Sequence, residues 1–203
     1  AFGIHPYFPI PFTPSSRAED CIVQASVTRR AEIESAPQAQ LERPSDATGT
    51  VGSAGAAGSA VTPRVASIRF SPPSDALSLE NGQRVDRLLD GQRGERPHGG
   101  LQVNYGRENG EGGVRWSLAA PREDVSVTIE TSEDFRALRI FAPPPPASPT
   151  APPAQTCISP VIATCFPDAF NLASAGYPPE VTGVIELAPG EQWRGWVRIG
   201  VTC

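Results

Sequence analysis

The chain has 203 residues, a net charge of −5 and a pI of about 5.1. All 17 basic residues are arginine, which excludes P-loop, Schiff-base and other lysine-dependent chemistry, and with no basic block the chain is not expected to bind nucleic acid. Hydrophobic residues make up 39%, enough for a globular core, and no apolar run approaches the ~20 residues that a membrane-spanning helix needs.

The elements follow in chain order. Residues 1–14, AFGIHPYFPIPFTP, carry Pro6, Pro9, Pro11 and Pro14, which exclude helix and predict a strand end running into an extended loop. CIVQASVT (21–28) has strand composition. Residues 36–62 are rich in Gly, Ala and Ser, with Gly49, Gly52, Gly55 and Gly58 at every third position. That spacing is not a phosphate-binding one and no lysine follows, so a flexible insertion is expected. VASIRF (65–70) reads as a strand, DRLLD (86–90) is too short to assign, and GQRGERPHGG (91–100) reads as a loop.

VRWSL (114–118) and VSVTI (125–129) alternate with period two, the latter placing Val125, Val127 and Ile129 on one face. FRALRIF (135–141) alternates once a turn or bulge intervenes near Ala137. Pro143–Pro146 end any ladder, and a Pro/Ala/Ser linker continues to Ala154. Val184–Leu187 and Trp193–Val201 complete the strands, separated by the turn APGE (188–191). No helical periodicity exceeds two turns. Short strands with Pro/Gly turns predict an all-β sandwich, read as one domain over 1–203 interrupted by the insertion at 36–62.

Of the cysteines, Cys21, Cys157, Cys165 and Cys203, no two make a Cys-x-x-Cys, and four in this length are too few for a disulfide framework. The two histidines, His5 and His98, offer no local zinc spacing, so no metal is expected. There is no methionine and the chain opens at Ala1, so a processed product or a fragment is expected.

Four segments, in order, carry a resemblance. AFGIHPYF (1–8) resembles the Gly-x-His-Pro-Tyr-Phe segment of the galactose mutarotase (aldose 1-epimerase) family. SVTIETSEDFRALRIFAPP (126–144) is similar to a strand pair of that family, PDAFNL (167–172) to its Pro-Asp-Ala-Phe-Asn-Leu segment, and LAPGEQW (187–193) to its C-terminal Pro-Gly-Glu turn. The match covers most of the chain apart from 36–62 and corresponds to the latter part of a family member. The first part of such a member would lie upstream of Ala1.

The resemblance implies a β-supersandwich and an isomerase that interconverts the α and β anomers of a free hexose of the galactose or glucose class. Opening a hemiacetal requires a base on the C1 hydroxyl and an acid on the ring oxygen. No cofactor is needed. By motif, Glu191 would be the general base and His5 the general acid, facing one concave site with room for a sugar between them. The family has an Asp that contacts sugar hydroxyls where this chain has Gln102 in LQVNY, and a Glu where it has Ser159 in CISP. Gln102 can still hydrogen-bond a hydroxyl. His98 of PHGG resembles an early His-Gly-Gly of the family out of order and is expected in a loop. A cytoplasmic location goes with this reading. Two other readings stand beside it: a carbohydrate-binding protein of the same fold without turnover, and a β-sandwich interaction module whose prolines at 143–153 bind a partner as polyproline II.

Overall fold

A computed structural model describes residues 2–34, 66–93, 101–106, 112–143 and 156–203. The expected insertion at 36–62, the linker at 144–154 and His98 lie outside the described residues.

The strands are β1 (Gly3–Ile4), β2 (Phe8–Ile10), β3 (Ile22–Ala25), β4 (Arg29–Glu34), β5 (Ser67–Ser71), β6 (Gln83–Arg84), β7 (Leu101–Gly106), β8 (Arg115–Ala120), β9 (Val125–Thr131), β10 (Ala137–Ala142), β11 (Thr156–Ala163) and β12 (Val197–Thr202). Three short helices interrupt them: α1 (Val85–Arg93), α2 (Ala169–Ser174) and α3 (Pro179–Thr182). All strand pairings are antiparallel. The larger sheet runs β1-β11-β10-β7-β4-β5, with β2 also on β11, and the smaller runs β12-β9-β8-β3-β6.

The period-two pattern of the sequence becomes the sandwich core. Leu101, Val103 and Tyr105 of β7, Leu138 and Ile140 of β10, and Ile158 and Ile162 of β11 face Val23 of β3, Trp116 and Leu118 of β8, and Val127 and Ile129 of β9. Each fully buried Leu, Ile or Val contributes about 1.5–3 kcal/mol of transfer free energy. Val85 and Leu88 of α1 close one end of this core. The Tyr105 hydroxyl donates to the Leu77 carbonyl at 2.9 Å, and burial pushes its pKa well above the usual phenol range.

A second, smaller core lies on the opposite face of the larger sheet. Ala31, Ile68 and Ala137 of the sheet meet Phe166 and Leu172, with Phe70 and Tyr177 packed at the margin. This covers one end of that outer face. Among the described residues no helix or further sheet packs on the remainder.

Three expectations need correction. Residues 91–93, expected to open a loop, are the end of α1 (Val85–Arg93). Val184–Leu187 is not a strand: the residues have strand composition, but the chain leaves α3 through Gly183 at φ 72° and no neighbouring strand pairs with them. The last strand begins at Val197 rather than at Trp193, because Trp193 turns inward against Phe2 and Phe135 before the ladder starts. The turn expected near Ala137 occurs just before β10, where the Phe135 amide donates to the Ser132 carbonyl at 3.1 Å.

Candidate functional site

The site is built on the open part of the outer face, and its origin lies in two prolines. β1 pairs Gly3 with Ala163 and Ile4 with Ile162, while β2 pairs Phe8 with Ile158 and Ile10 with Thr156. The register is the same on both sides, so β1 and β2 are one strand broken over His5–Tyr7. Extending that register sets Pro6 against Pro160. Neither residue has an amide hydrogen, so the ladder has no donor there. Ser159 supplies one: its buried hydroxyl donates to the Pro6 carbonyl at 2.6 Å. The chain stays extended across this break, and His5 and Tyr7 are exposed on the outer side of the strand.

Both rings project over the outer face. They stack on each other with centroids 4.6 Å apart, and each meets Phe141 of β10 edge-on, at 6.2 and 6.4 Å. Gln102 of β7 lies directly opposite Phe141 in register and is exposed. The next row holds Asn104 of β7 beside Arg139 of β10, whose Nε donates to Asn104 Oδ1 at 3.1 Å. His5 and Gln102 therefore share one face with an aromatic floor between them. Sequence reasoning missed Tyr7, Phe141, Asn104 and Arg139 as neighbours of this site. The alternation of FRALRIF carried a signal for Arg139 and Phe141, since both fall opposite the apolar face of the strand.

Glu191 stands apart from this face. Ala188–Glu191 forms a tight turn in which the Glu191 amide donates to the Ala188 carbonyl at 3.0 Å, with Gly190 at φ 89°. Pro and Gly at the two central positions suit a type II turn. Glu191 Oε2 accepts from the Ala188 amide at 2.8 Å, so one carboxylate oxygen staples its own turn. No contact joins Glu191 to His5. The segment is anchored nearby: Trp193 packs on Phe2 and donates from Nε1 to Asp134 at 2.8 Å, and Phe2 hydrogen-bonds Thr164 at the end of β11. Glu191 and His5 are thus each a few residues from the same Phe2–Trp193 contact.

PDAFNL forms the entry to α2. Asp168 adopts φ 62°, and Asn171 Nδ2 donates to Asp168 Oδ1 at 2.6 Å. The four cysteines are free. Burial pushes the Cys157 and Cys165 thiols up, away from the reactive thiolate. Among the described residues no helix is long and apolar enough to cross a membrane.

This arrangement of two antiparallel sheets resembles solved structures of one kind. The chain aligns over 98% of its length with a galactose mutarotase-like protein from Clostridium acetobutylicum, at 16% identity and a TM-score of 0.55. It aligns over 98% with a protein from Escherichia coli K12 assigned as an aldose 1-epimerase, at 18% identity and a TM-score of 0.51. The chain spans about half of each, 46% and 48% of their lengths. No known protein family matches the sequence, and no curated protein matches it. The fold is that of a galactose mutarotase-like all-β sandwich.

Proposed function

We propose that the chain carries the sugar site of an aldose 1-epimerase, an isomerase that interconverts the α and β anomers of a free hexose of the galactose or glucose class, working in the cytoplasm without a cofactor. The observation that carries this reading is the His5–Tyr7 segment, held through the Pro6 carbonyl by Ser159 on a sheet face that also presents Gln102 and Phe141. Aromatic rings beside hydrogen-bonding side chains suit a sugar, which presents apolar C–H faces and a rim of hydroxyls.

In this reading His5 protonates the ring oxygen while Glu191 takes the C1 hydroxyl proton. The ring opens, the C1–C2 bond rotates, and closure on the other face returns both protons. Oε1 of Glu191 has no partner within the chain among the described residues, and is the oxygen available to a substrate. Gln102 donates to or accepts from a sugar hydroxyl. Glu191→Gln and His5→Asn are each expected to slow mutarotation of freshly dissolved α-galactose or α-glucose by about 10²-fold, followed by polarimetry on the protein at its full natural length. Unchanged rates in both variants overturn the assignment.

A second reading, carbohydrate binding without turnover, is favoured by Gln102, which is uncharged where the resembling family has a carboxylate. A wild-type protein that binds the sugar and shows no mutarotation selects it. The prolines proposed to bind a partner at 143–153 lie, apart from Pro143, outside the described residues.

A further inference from the structure

Arg139 is a half-buried cation with no counter-ion among the described residues. Its Nε is taken by Asn104 Oδ1 at 3.1 Å, and among the described residues no carboxylate pairs with it. Burial alone lowers its pKa. Most arginines of this chain with a described ion pair are exposed, as Arg17, Arg115, Arg122 and Arg198 are. Holding a guanidinium partly out of water without an anion costs stability, and such a residue is retained where an anion arrives from elsewhere.

The surroundings select the same ligand chemistry. On the outer face, the strand positions of β7, β10 and β11 and the His5–Tyr7 segment supply Gln102, Asn104, Arg139, Ser159, His5 and Tyr7, and no Asp or Glu. Arg139 lines a depression of about 160 Å³ with Asn104, Val161, Ala163, Cys165 and Phe166. That is below the ~300 Å³ at which pockets for whole small molecules begin, and it suits one charged substituent. Arg139 pairs with Val161, and the register of β1 and β2 sets His5 opposite Val161 on its other side. The two residues are thus two strand spacings apart, about 10 Å. A sugar with its ring at His5 can extend a far substituent to Arg139.

We propose that Arg139 is an anion-recognition residue, and that the ligand of this site is an aldose bearing a carboxylate or phosphate group, which the guanidinium grips through its two free Nη groups. The proposal rests on the sugar site described above and replaces its neutral hexose with an anionic aldose. Arginine suits this task because its planar fork matches carboxylate and phosphate oxygens in pairs.

The test is calorimetric titration of the full-length protein with D-glucose, D-glucuronate, D-glucose 6-phosphate and inorganic phosphate. At least one anionic sugar is expected to bind about tenfold more tightly than glucose, the usual worth of a charge-assisted hydrogen bond. Which of the two does so identifies the substituent, and tighter binding of inorganic phosphate than of either sugar overturns the proposal. Arg139→Gln is expected to reduce the preference to less than about threefold. Arg139→Lys keeps the charge without the fork, serves where Arg139→Gln does not fold, and is expected to retain only part of the preference. Equal binding of glucose and both anionic sugars overturns the proposal, as does no binding of either anionic sugar or a preference that survives unchanged in the variants. Mutarotation of glucose without anion preference removes this inference and leaves the epimerase reading. An Arg139-dependent anion preference in a protein without mutarotation does the reverse.

Discussion

Ser159 stands in for a backbone amide. With Pro6 and Pro160 opposed, its hydroxyl is the one described donor to the Pro6 carbonyl, so Ser159→Ala leaves that carbonyl without a partner. The expected loss is about 1 kcal/mol in chemical denaturation, with sugar affinity falling several-fold by calorimetry as the His5–Tyr7 segment loosens. Ser159→Thr keeps the hydroxyl and is expected to restore part of the affinity, which a purely steric role for the position would not. Sequence reasoning singled out His5 because its motif is local. It did not find the cause of the break between β1 and β2, since that cause is a proline facing another proline across the sheet, 154 positions away. Ser159 was read as a substitution at a family position, and its bond to Pro6 became visible only once β1, β2 and β11 were in register. Glu191 was legible as a turn residue for a simple reason: Pro189 and Gly190 fix the turn type without reference to anything else in the chain.

At the scale of elements, alternation was a good guide where both flanks were clean. β8 and β9 match the expected VRWSL and VSVTI closely, because each has turn residues at its ends and one buried face. β11 was hidden by Pro160, a residue that argues against an interior strand. It is tolerated here because the edge strand beside it is itself broken at that point. α1 was left unassigned because DRLLD is barely longer than one turn, and its anchoring residues, Val85 and Leu88, are recognisable only against the core they fill. Val184–Leu187 shows the converse: strand composition is not enough without a partner edge. The backbone also packs closely at Gly113. A Cβ on Gly113 would stand 2.0 Å from the Thr131 carbonyl oxygen and 2.2 Å from that of Ser132. Both atoms belong to the backbone at the end of β9 and have no rotamer to escape into. Gly113→Ala is therefore expected to cost at least about 3 kcal/mol in denaturant titration, beyond the usual range for overpacking against movable side chains.

For the whole molecule, the sandwich is closed at one margin and open at the other. Ile199 and Val201 lie in register with Ile129 and Val127, on the core-facing side of the smaller sheet, yet are 58% and 66% exposed. In the 203-residue chain Ile199→Thr is expected to change stability by less than about 0.5 kcal/mol. Ile129→Ala, one strand further in and fully buried, is expected to cost about 2–5 kcal/mol. Near-equal losses in thermal melts would show that β12 is covered in solution.

The joining of β1 and β2 to β11 also sets an order in time. Gly3 pairs with Ala163, so the longest loop in the larger sheet must close before His5 and Tyr7 acquire a floor. Contacts so distant in sequence form slowly, because chain entropy is lost before any pairing is gained. At roughly 5–20 residues per second on a ribosome, the first segment waits on the order of ten seconds or more for its partner strand to be made. Until then AFGIHPYF is an unpaired apolar stretch, open to proteases and chaperones alike. Ribosome-bound chains arrested near residue 150 are expected to be cleaved by chymotrypsin after Tyr7 or Phe8, while chains released with β11 complete resist cleavage there. Protection appearing before β11 is synthesised would mean that something other than this pairing orders the segment.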